Sequence, residues 1–110
     1  MAMVQTKLHA SLQLGNSLAT HYTVPASTTT IVKQIVLCNT SASNITVDVH
    51  LVPSGGTAGA TNALVYNLTV DSLSTMFVNV AAVMDVSDFI SAKANVAASV
   101  TMHSFGIEES

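Results

Sequence analysis

The side chains able to do chemistry are few: Cys38, the imidazoles of His9, His21, His50 and His103, and six carboxylates. Cys38 and His50 bracket the stretch CNTSASNITVDVHLVPSGG, residues 38–56, where a polar turn leads into a strictly alternating run and a Pro-Ser-Gly-Gly stop. A nucleophilic thiolate needs a neighbouring cation or base. Cys38 has neither beside it and lies on a strand apolar on both sides, so it reads as a buried, inert thiol. His50 shares a strand face with Asp48, and His103 is expected on a neighbouring strand. A metal site needs three or four converging ligands at fixed spacing, and the chain has no H-x-H or H-x₃₋₅-H pair. His50 is therefore expected to be a solvated or interface residue.

Asp71, Asp85 and Asp88 fall in turns, where the carboxylate bonds nearby backbone. Paired-carboxylate hydrolysis needs two of them in one cleft, and nothing in their spacing supplies it. GGTAGATNA has glycines but lacks the Lys-Ser/Thr of a phosphate-binding loop. Tyr22, Tyr66 and three phenylalanines are too scattered to stack bases, and without tryptophan they make a poor sugar-binding platform. No catalytic, cofactor-binding or metal-ligating residue is assigned, and a non-enzymatic protein needing no cofactor is expected.

The composition narrows the partners. Of 110 residues, 49% are hydrophobic and 8% charged, against a usual charged share of about a quarter. There is no arginine, and Lys7, Lys33 and Lys93 are the cations in a net charge of −3. Such a chain cannot neutralise a run of phosphates or hold an anionic membrane. Ser, Thr, Asn and Ala must cover the surface, and sheet edges so poor in charge call for covering by neighbours. One cysteine allows no internal disulfide. The N-terminal segment lacks the pattern of a signal peptide, so Asn39, Asn44 and Asn67 are read as accidental sequons and synthesis is expected in the cytoplasm.

The apolar period is two, the signature of strands. Val4–Leu14 alternates and breaks at Gly15-Asn16, and Leu18–Val24 stops at Pro25. Ile31–Cys38 is apolar on both sides, with Ile31, Ile35 and Leu37 expected on one face and Val32, Val36 and Cys38 on the other. Ile45–Val52 is a half-buried strand, so Ile31–Val52 reads as a hairpin turning at Asn39–Ser43. Leu64–Val70, Met76–Ala82, Ile90–Ala94 and Val100–Ile107 follow, with Ser54–Ala63 as a long flexible loop. About eight strands without a convincing helix predict a single domain over residues 1–110, an antiparallel β-sandwich of jelly-roll or immunoglobulin-like type. Residues 1–13 are either its own first strand or an arm that pairs with a neighbour.

The segment YTVPASTTTIVKQIVLCNTSASNITVDVHLVPSGGTAG, residues 22–59, resembles a family of small proteins encoded among the structural genes of tailed bacteriophages and prophages. The shared pattern is a Tyr-x-Val-Pro opening, the Leu37-Cys38-Asn39-Thr40-Ser41 strand end and turn, and the His50-to-Gly56 strand end. A closing Ile90-Ser91-Ala92-Lys93 strand and Gly106-Ile107-Glu108 complete it. The likeness covers most of the chain beyond Tyr22; the turn VDSLSTMFVNV departs from the plainer Asn/Gly turn of relatives. The resemblance implies a virion structural protein and brings no catalytic residues. The expected role is a capsid decoration protein that binds and stabilises the head as a small oligomer, a trimer, with itself and the major capsid protein as partners. The alternative is a tail or head-fibre adaptor linking the virion to a receptor-binding protein.

Overall fold

A computed structural model of the chain describes residues 3–110; Met1 and Ala2, the start of the expected arm, lie outside the described residues. Among the described residues nine strands form: β1 Met3–Lys7, β2 Leu12–Gln13, β3 Ala19–Thr23, β4 Thr29–Asn39, β5 Ile45–Val52, β6 Ala63–Val70, β7 Thr75–Met84, β8 Phe89–Ala94 and β9 Val100–Glu109. A single 3₁₀ turn, Ala60–Asn62, interrupts the loop before β6. Sheet A has the order β1-β9-β4-β7, with β2 also on β9, and sheet B has the order β3-β8-β5-β6. Every pairing is antiparallel.

β1 and β2 are one strand in two pieces, both laid on β9 of the same chain. The Leu8 and Leu14 amides extend that ladder to Ser104 and Val100. The expected Val4–Leu14 strand bends out between them: Leu8 and Leu14 are buried, whereas Val4 is exposed. With the two pieces counted as one strand, eight strands fill two four-stranded sheets, and of the connections between them only β5–β6 stays within a sheet. That crossing pattern is a jelly roll.

The expected hairpin of β4 and β5 is corrected, because β4 belongs to sheet A and β5 to sheet B. Both strands have an apolar side to bury, and the chain arches so that they face each other instead of pairing. Asn39, only 1% exposed, pins this corner. Its Nδ2 donates to Ser43 O at 2.8 Å and Val70 O at 2.9 Å, and its Oδ1 accepts from the Ser41 amide and hydroxyl.

The facing expected along β4 also changes. Val32, Ile35 and Leu37 point inward and are fully buried, while Ile31, Val36 and Cys38 lie half-buried on the outer side. At Lys33 β4 carries one residue more than β9, and its register to β7 shifts at the same place with the extra residue on β7; this bulge reverses the alternation along β4. Gly106 of β9 sits opposite Val32 there, where an added Cβ would collide with the Ile31 carbonyl. Across the sandwich, Tyr22 of β3 donates its hydroxyl proton to Glu108 Oε2 at 2.5 Å and accepts from Thr30 Oγ1 at 2.7 Å. Burial first, then the Glu108 bond, pushes the Tyr22 hydroxyl up to about 12.

Candidate interaction surface

The sequence-selected residues do not converge. Cys38 is half-buried rather than buried, on the outer side of sheet A between Thr75 and Thr101. His50 sits on β5 in sheet B and His103 on β9 in sheet A, so they are not neighbours. His50 is 2% exposed, a correction to the solvated or interface residue expected. Both partners of its Nδ1 are acceptors, so this nitrogen carries the proton and donates to Gly59 O at 3.0 Å and Asn62 Oδ1 at 3.2 Å. The Tyr66 ring meets it edge-on, with centroids 6.3 Å apart.

This arrangement orders the loop that the composition marks as flexible. Asn62 Oδ1 accepts from the Gly59 amide and its Nδ2 donates to Thr57 O. Asp88 Oδ1 holds the other end through the Ser54 amide at 2.9 Å, and its Oδ2 accepts from Asp85 N. Asp48 makes no dyad with His50; it pairs with Lys93 at 3.9 Å and accepts from the Asn67 amide. Asp71 and Asp85 close turns through their carbonyls.

His9, in the bend between β1 and β2, and His21 of β3 lie with ring centroids 6.4 Å apart. His9 donates from Nδ1 to Ala10 O and takes the Ser104 hydroxyl at Nε2. His21 Nε2 is buried without a partner, and burial holds the His21 imidazole below its ordinary value. Among the described residues no three His, Cys, Asp or Glu side chains are grouped to hold a metal.

What the fold does assemble is the outer face of sheet A. Residues directly opposite on paired strands share a face, so the registers build rows across the sheet. One row runs Val83–Ile31–Ile107–Gln5, a second Asn79–Gln34–Phe105–Lys7, and a third Phe77–Val36–His103. Phe77 is 61% and Val83 66% exposed. Gln34 Nε2 donates to Asn79 Oδ1 at 2.9 Å, and His103 stacks on Phe105 with rings 8° from parallel. An open groove of about 550 Å³ runs between Lys7 and Lys33 over Phe105, Gly106 and Ile107. Alternation alone hides this face, because the Lys33 bulge decides which β4 residues reach it.

An open face of this kind, with Phe77, Val83 and Phe105 exposed among amides and lysines at one groove, suits contact with another protein surface better than chemistry on a small molecule. No protein-family model and no curated protein sequence matches the chain. Solved structures do share its fold. A chain from Bacillus endospore appendages, described as a family of disulfide-linked pili, superposes with a TM-score of 0.60 at 15% identity over 98% of this chain and 88% of its own. A chain from infectious bursal disease virus, Gx strain, gives 0.58 at 13% identity over 97% of this chain and 32% of the viral one. The present chain thus spans about a third of that viral chain. The likeness establishes the β-sandwich fold.

Proposed function

We propose that the chain is a non-enzymatic structural subunit of a tailed-bacteriophage virion, a decoration protein that binds the assembled head and stabilises it. The observation that carries this reading is the outer face of sheet A, where Phe77, Val83, Ile31, Ile107 and Phe105 lie on one side of the sheet with little charge among them. Burying that face against a neighbouring subunit removes apolar area from water at roughly 25 cal/mol per Å². A ligand that binds the assembled shell and not its dissociated parts stabilises it by mass action. The resemblance of residues 22–59 to a phage structural family and the sharing of this sandwich with a pilus chain and a viral chain support the same reading.

The test uses purified chain and mature heads of the phage or prophage that encodes it. Sedimentation with the heads to a saturating, lattice-wide copy number, together with a higher head-rupture temperature, is expected. Saturation at a few copies at the tail vertex would instead favour the adaptor role, and no binding to any virion part would overturn the proposal.

A further inference from the structure

Sheet edges invite pairing unless something guards them. Three of the four edges here carry such devices. β1 has five residues and ends in Lys7. β3 has five, with a register shift between Thr20 and Tyr22. β6 is broken by two register shifts and by the left-handed Asn67. β7 differs: its ten residues, TMFVNVAAVM, contain no charge and no proline, and its pairing is to β4 alone. Its in–out alternation runs unbroken from Phe77 to Met84, and the register shift to β4, where Val80 and Ala81 lie across from Lys33 alone, leaves that alternation intact.

We propose that β7 pairs antiparallel with β7 of a second copy of this chain, about a two-fold axis at Val80, joining the two A sheets into one. The strand is self-complementary in that register. Phe77 and Val83 lie equally far from Val80 on either side, so each Phe77 faces the partner's Val83 and each Val83 the partner's Phe77. Aromatic and β-branched side chains opposite one another are a favourable cross-strand pair. The register also joins rows across the axis: Ile107–Ile31–Val83 of one protomer continues into the partner's Phe77, the partner's Val36 and the partner's His103. A one-residue slip sets outward side chains against inward ones. Centring on Ala81 places Phe77 opposite the partner's Asp85, and centring on Asn79 opposite the partner's Ala81. An isologous contact of this kind closes at two copies.

The inference stands apart from the virion reading, since it needs no shell. Light scattering on the purified chain over a dilution series is expected to give twice 11.4 kDa when concentrated, falling toward one chain on dilution. Val83→Lys and Phe77→Glu, each at an exposed side chain, should each weaken association at least tenfold and leave the monomer's spectrum unchanged. Combined in one chain they should restore it, because opposite charges then face each other in both pairs. Residues opposite each other lie roughly 4.5–5.5 Å apart at Cα, within disulfide reach. In a Cys38→Ser background, Asn79→Cys and Ala81→Cys chains should therefore cross-link when mixed and not singly. A monomer at every concentration up to about 1 mM, a trimeric mass, no recovery in the double variant, or equal cross-linking of either cysteine variant alone overturns the proposal.

Discussion

Replacing Gly106 by alanine probes the junction on which the candidate surface is built. Gly106 lies opposite Val32 at the β4 bulge. A Cβ there would come within 3.0 Å of the Ile31 carbonyl oxygen, 3.2 Å of its carbon and 3.3 Å of Val32 Cα. Ordinary C···O contact is roughly 3.3 Å, so β4 must retreat from β9 at this point. It cannot do so freely, because both of its sides are held by ladders to β7 and β9. Overpacking of this kind costs about 1–3 kcal/mol, and loosening an adjacent ladder bond adds about 1 kcal/mol. At about 5 °C per kcal/mol for a domain of this size, the expected total of about 2–4 kcal/mol lowers Tm by about 10–20 °C. The assay is thermal unfolding by circular dichroism, with Gly15→Ala as control, since nothing lies within 4 Å of a Cβ at that position. A Gly106→Ala protein melting within about 2 °C of the parent would refute this account of the bulge.

Tyr22→Phe removes the hydroxyl that joins the sheets and leaves Thr30 and Glu108 without it; a loss of about 1.5 kcal/mol in denaturant unfolding is expected. The same hydroxyl makes stability pH-dependent. It titrates at 10.0 unfolded and about 12 folded, so its contribution is complete below 10.0, declines as pH rises through that window, and is absent from Tyr22→Phe. His21 acts in the opposite direction. Its imidazole is held below 6.5 by burial, so the unfolded chain takes up the proton first and stability falls as pH drops below 6.5; His21→Asn should flatten that slope in unfolding midpoints taken across pH. His50→Ala removes the donor to Gly59 and Asn62 from a buried position. A loss of about 2–4 kcal/mol and new proteolytic cleavage within residues 54–63 are expected.

Much of the fold is legible in the chain. The period-two runs and the Gly, Pro and Asn breaks locate the strands, and the sandwich class follows from their number and spacing. What pattern reading misses depends on partners distant in sequence. A polar turn such as Asn39–Ser43 looks the same whether the strands around it pair or arch between sheets. The decision rests on Asn39 reaching Val70, 31 residues away. The bulge at Lys33 has no local marker either, since it arises from the fit of β4 to Gly106 and β7. It moves Val32 into the core with Ile35 and Leu37, and Ile31 onto the outer face. His50 looks polar and exposed by alternation and is buried because Gly59 and Asn62 fold back to accept its proton. Sparse charge foretells an uncharged surface, whereas the place of the exposed Phe77 and Val83 on the outer side of sheet A emerges only from the registers.

The central claim is that sheet A, with β7 at its edge, is the surface through which this chain assembles. Amide hydrogen exchange, read by mass spectrometry on the dilute chain and on the chain bound to heads, tests it most directly. The account predicts that peptides covering residues 75–84 exchange quickly in the dilute chain and become strongly protected on the heads, with those of β3 and β6 little changed. Equal exchange at residues 75–84 in the two states, with protection arising on sheet B instead, would contradict it.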